Sequence, residues 1–103
     1  MSEGGALVGV SRRVDCPRGV PPWPDVLSRL SAEGLSVEMR MIDGQLAFPD
    51  EQPPEHWQEL RVSLGGWMVT VRRDGSAVEL ISWADPPAEM QRAVSVLERA
   101  LTG

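Results

Sequence analysis

The sequence predicts an α+β fold: an antiparallel sheet of about five strands, built as a hairpin plus a three-stranded meander, with N- and C-terminal helices packed on one face. Three observations carry this. Asp43-Gly44, Gly65-Gly66 and Asp74-Gly75 are two-residue hairpin signals, because primed turns need the positive φ that Asp and Gly tolerate. The segments around them alternate apolar and polar residues, the period of a half-buried strand. Before and after these strands, apolar residues recur at helical spacing. Runs of strands flanked by helices and joined by tight turns read as α+β.

The 103 residues make one domain's length, with 42% apolar and 24% charged residues. Residues 1–22 read as an arm, extended or partly disordered: "ALVGVSRRV" could be a short strand but Gly9 interrupts it, and "DCPRGVPPWP" is rich in turn and extended formers. Residues 23–103 read as a single α+β domain. Pro24 suits a first helical turn, and Trp23, Val26, Leu27 and Leu30 form a stripe ended by Gly34, which predicts a helix over 24–33. In "LSVEMRMIDGQLAF", pairing across Asp43-Gly44 sets Met41 against Leu46 and Met39 against Phe48, all facing inward. "PDEQPPEHW" is a Pro-rich crossing with one helical turn at Pro54–Gln58, placing Trp57 to pack on the core edge.

Counting outward from Gly65-Gly66 pairs Leu64 with Trp67, Val62 with Val69 and Leu60 with Val71. Counting from Asp74-Gly75 pairs Val71 with Val78 and Val69 with Leu80. Both counts bring the apolar residues to one face, whereas a one-residue slip would invert every side chain. The opposite face then carries rows of Arg61, Thr70 and Glu79, and of Ser63, Met68 and Ile81, with Trp83 beyond. Met90, Ala93, Val94, Leu97, Ala100 and Leu101 form the stripe of a final helix opened by Pro87.

Chemistry is sparse. The net charge of −5 disfavours a phosphate backbone as partner, and every basic residue is Arg. No apolar run approaches the roughly 20 residues of a membrane span, and the lone cysteine fits a reducing compartment, so a cytoplasmic location is expected. Cys16, near Arg12, Arg13 and Arg18, reads as an incidental reduced thiol rather than a nucleophile, which would also need a base and an oxyanion site. His56, among Asp50, Glu51, Glu55 and Glu59, could share a helical face with Glu59. One histidine, however, falls short of a zinc or di-metal ligand set. No catalytic, cofactor-binding or metal residues are assigned.

The non-core face is the best candidate site: Arg40, Arg61, Met68, Ile81 and Trp83 form an interaction surface. Either residues 6–22 fold back over it, or it meets another chain, a second copy or a different protein. The expected role is a small acidic interaction module. Its outline, an acidic chain with a sheet between two helices, is similar to small secretion-chaperone-like domains, which implies protein binding. The alternative is a small-molecule-binding, metal-binding or catalytic domain using His56 and the nearby carboxylates.

Overall fold

The computed structural model describes residues 10–82 and 87–102. Three tight turns organise the sheet. Asp43 (φ 49°) and Gly44 (φ 84°) form a type I′ turn joining β2 (Val37–Ile42) to β3 (Gln45–Leu46). Gly65 (φ 56°) and Gly66 (φ 95°) likewise join β4 (Glu59–Leu64) to β5 (Trp67–Asp74). That hairpin has the predicted register, with Leu64 opposite Trp67, Val62 opposite Val69 and Leu60 opposite Val71.

The third turn is two residues long but begins one residue later than predicted. Asp74 pairs with Ala77, so the loop is Gly75-Ser76 and leads into β6 (Ala77–Ser82). Gly75 has a φ of 63° at the first central position, the requirement of a type II′ turn, and Gly-Ser satisfies it as well as Asp-Gly would satisfy type I′. The displaced loop moves β6 by two residues: Val71 faces Leu80 rather than Val78, and Thr70 faces Ile81 rather than Glu79. It sets Arg72 directly opposite Glu79, with Glu59 on its other side. Because the shift is even, no side chain changes face. Val69, Val71, Val78 and Leu80 are all buried.

The sheet has six strands, one more than the roughly five expected, in the order β1-β6-β5-β4-β2-β3. The additional strand, β1 (Val10–Asp15), comes from the segment assigned to the arm and pairs antiparallel with β6. A strand is thus the first described element, and the helix α1 (Trp23–Ala32) is second rather than N-terminal. Helix α1 ends in a Schellman arrangement: Leu35 N–H donates to Leu30 O at 3.0 Å and Gly34 N–H to Ser31 O at 2.9 Å, with Gly34 at φ 80°.

Helix α2 (Ala88–Thr102) buries Met90, Ala93, Val94, Leu97, Ala100 and Leu101. With Trp23, Val26 and Leu30 of α1, these cover the sheet face that carries Val14, Met39, Leu60, Val62, Leu64, Val69, Val71, Val78 and Leu80. No described helix is long and apolar enough to cross a membrane.

The β2–β3 hairpin departs from its predicted faces. Its turn is as expected and Met41 does pair with Leu46, but a β-bulge between Met39 and Met41 inserts Arg40 as an unpaired residue against β4. One extra residue in a period-two structure inverts the facing of every later residue in the strand. Met39 stays in the core, while Met41 lies opposite Arg61 on the outer face and takes Leu46 with it. Strand β3 stops at Leu46, and Met39 N–H donates to Pro49 O rather than pairing with Phe48. Leu46 and Phe48 are consequently 87% and 75% exposed.

The same turn clasps the start of β4. Asp43 Oδ1 accepts hydrogen bonds from Gln58 N–H at 2.8 Å and Glu59 N–H at 2.9 Å, while Asp43 N–H donates to Glu59 O at 2.8 Å. Asp43→Ala would leave both N–H groups without this acceptor and put a β-carbon in left-handed backbone without a stabilising side chain. The expected loss is about 1–3 kcal/mol, read as a lower urea midpoint at unchanged m-value. Asp43→Asn, which retains an oxygen and tolerates that backbone, should lose clearly less. Equal losses in the two variants would show that the clasp contributes nothing.

Candidate functional site

The outer sheet face is the candidate site, and cross-strand register determines its pattern. One row takes a residue from each of the six strands: Leu46, Met41, Arg61, Thr70, Ile81 and Ser11, each opposite the next. The row contains a single formal charge, on Arg61. Beside it, Glu38, Ser63 and Met68 lie opposite one another, and Met68 is 37% exposed.

The row on the other side is charged throughout and internally compensated: Glu59, Arg72, Glu79 and Arg13. Arg72 reaches Glu59 at 3.2 Å and Glu79 at 3.6 Å. Arg13 reaches Asp74 at 2.7 Å and Asp15 at 3.4 Å. The Asp74 carboxylate, through its hydrogen bond and then its charge, raises the Arg13 pKa above its ordinary value. Exposed pairs of this kind contribute little to stability, so their main effect is to neutralise that half of the face.

Of the residues predicted for an interaction surface, Arg61, Met68 and Ile81 share the outer face. Arg61 and Ile81 share one row across Thr70, with Met68 in the next. Arg40 is the bulge residue, held by Glu38 at 3.1 Å. Trp83 lies outside the described residues. The predicted rows are corrected by the two-residue shift of β6: Glu79 belongs with Arg72, and Ile81 with Arg61 and Thr70.

Sequence reasoning missed Met41 and Leu46, which it counted inward. The available signal was the run Glu38-Met39-Arg40-Met41-Ile42, where two successive apolar residues at its end break strict alternation. Residues 10–22 do not cover the face. Residues 10–15 extend the sheet edge, Cys16 enters the core, and Pro17 to Pro22 run along the helix side.

The alternative site does not assemble. His56 is exposed in a turn closed by Trp57 N–H donating to Pro54 O at 3.2 Å, and Glu59 belongs to β4, so the two share no helical face. No group of three metal-ligating side chains occurs among the described residues. Asp50 and Glu51 line a cleft of about 190 Å³ beside Trp23 and Leu27, which His56 does not line. A larger cleft, about 520 Å³, lies between the arm and the helix ends, with Arg18, Asp25 and Arg29 as its charged residues. Arg29 crosses to donate to Ala100 O at 2.7 Å, tying α1 to the last turn of α2.

Cys16 is buried, not in a loose arm, and its backbone N–H donates to Ser76 O at 3.0 Å. Burial, reinforced by Asp15, pushes its thiol pKa up against the opposing charge of Arg73, which disfavours the nucleophilic thiolate. Arg73 itself lies with its guanidinium carbon 4.3 Å from the centroid of the Trp57 ring, and Trp57 meets Trp23 edge-on at 6.3 Å. This stack closes the core at one end of the sheet.

No protein-family model, curated protein or solved structure matches the chain.

Proposed function

We propose that this domain is a protein-interaction module without catalytic machinery of its own, and that its outer sheet face is the binding surface. One observation carries the reading: Leu46 and Met41 on one side of Arg61, and Met68 and Ile81 on the other, face outward on a sheet face that neither helix nor any residue from 10 to 22 covers. Solvent-facing sheets ordinarily carry polar residues there, and large apolar side chains clustered on such a face mark contact sites. The compensated charges beside the patch and the net charge of −5 suit a protein surface better than a polyanion.

The test pairs Leu46→Glu with Met68→Glu in one chain. Both positions are open to solvent, so the unfolding free energy should stay within about 0.5 kcal/mol per site of the wild type. The wild type should self-associate in sedimentation velocity or bind an anilinonaphthalene sulfonate dye, and the double variant should do neither. A strictly monomeric wild type whose dye fluorescence equals that of the double variant would overturn the reading.

A further inference from the structure

We infer that the six-strand row on the outer face is a docking stripe for an apolar protein segment carrying a carboxylate, with Arg61 as the group that selects it. The inference rests on the interaction-module reading and adds the chemistry of the partner. The row spans five inter-strand spacings, roughly 24 Å at about 4.8 Å each, enough for an extended or helical stretch of a partner. Its residues are Leu46, Met41, Thr70, Ile81 and Ser11, neutral throughout, apart from one guanidinium near the middle.

Arg61 differs from the other arginines of this face. Arg13, Arg40 and Arg72 each hold at least one carboxylate within 3.2 Å. Arg61 has none among the described residues. Its side-chain contact is the thioether of Met41, with Nη1 3.6 Å from Sδ. Its cross-strand neighbours, Met41 and Thr70, bring no negative charge. A partner lying along the stripe would take water from this guanidinium. A purely apolar partner would strand it, whereas a partner with Asp or Glu at that point would satisfy it through two parallel N–H···O bonds. Charge complementarity therefore favours an acidic–apolar segment over an apolar or basic one, as a matter of specificity as much as affinity.

The experiment selects a random-peptide phage library on the immobilised full chain. Enriched peptides are then synthesised and measured by fluorescence anisotropy against the wild type, Arg61→Glu, Arg61→Gln and the Leu46→Glu/Met68→Glu double variant. Circular dichroism first verifies that each variant is folded. The expected result is enrichment of Asp or Glu among Leu, Ile, Phe, Met and Trp, with binding at least roughly tenfold weaker to Arg61→Glu. Peptides with the carboxylate exchanged for Lys should regain binding to Arg61→Glu.

Apolar peptides without a carboxylate, bound equally by wild type and Arg61→Glu but lost in the double variant, would overturn the acidic partner while leaving the binding surface intact. Absence of any enrichment that depends on Leu46 and Met68 would overturn both. A wild-type dimer broken by the double variant but indifferent to Arg61→Glu would make a second copy the occupant and overturn the acidic partner.

Discussion

Trp57→Ala should be the most destabilising aromatic truncation in this protein, with a loss of about 3–5 kcal/mol. Trp57 is 1% exposed although it belongs to a Pro-rich crossing with few backbone bonds of its own. What holds it is contact on two sides: the edge-on Trp23 ring at an interplanar angle of 79°, and the Arg73 guanidinium over its face. Each such contact is worth about 0.5–2 kcal/mol beyond the burial of the ring. Arg73 Nε is buried without a hydrogen-bond partner, so the indole face is what compensates this part of the guanidinium. Removing the indole would leave a cavity beside Trp23 and strip the Arg73 guanidinium of its ring face, with Nη2 donating to Glu55 O at 3.5 Å as its remaining hydrogen bond among the described residues.

For a domain whose whole stability is typically about 5–15 kcal/mol, that loss shifts the urea midpoint towards zero and leaves a measurable unfolded fraction in water. Trp57→Phe, which keeps an aromatic face for Arg73, should lose clearly less than Trp57→Ala. A Trp57→Ala variant with the wild-type midpoint would show that the crossing is ornamental to the core.

The second large effect contrasts adjacent residues of β5. Val71 is 0% exposed between Leu60 and Leu80, whereas Thr70 is half-buried on the other face between Arg61 and Ile81. Val71→Asp should lose more than about 4 kcal/mol and fail to fold, because a carboxylate there has neither water nor a partner. Thr70→Asp should fold with an unfolding free energy within about 1 kcal/mol of the wild type, since its carboxylate would lie beside Arg61. The readout is the cooperative unfolding transition by circular dichroism. Comparable damage from both substitutions would refute the two-faced sheet and the docking stripe with it.

How much was readable divides along a physical line. The side-chain period of a strand is two, so a two-residue turn fixes which face each residue takes even when the turn is misplaced by one position. For this reason Val69, Val71, Val78 and Leu80 could be assigned to the core although their partners in β6 were wrong. The helices were readable because Trp23, Val26 and Leu30, and later Met90, Ala93, Val94 and Leu97, repeat at the spacing of one helical face.

Three features depended on contacts far apart in the chain. Gly75-Ser76 and Asp74-Gly75 are both acceptable turns locally, and the observed one brings Arg72 opposite Glu79 and opens Asp74 to Arg13. The bulge at Arg40 exists only in β2's pairing with β4, and it moved Met41 and Leu46 from the expected core face to the outer one. Val10–Asp15, interrupted in sequence by two charged residues, became a strand because β6 offered an open edge; Arg12 then meets Glu98 of α2 at 3.0 Å and Arg13 meets Asp74.

By itself, then, the chain's pattern determined its class, its helices, two of its three turns and the two faces of its central meander, since these come from residue periodicity and local φ preferences. Tertiary structure alone decided the sixth strand, the final register of β6 and the outward facing of Leu46 and Met41. Each of those is a choice between locally equivalent backbones, settled by hydrogen bonds and charges from residues distant in sequence.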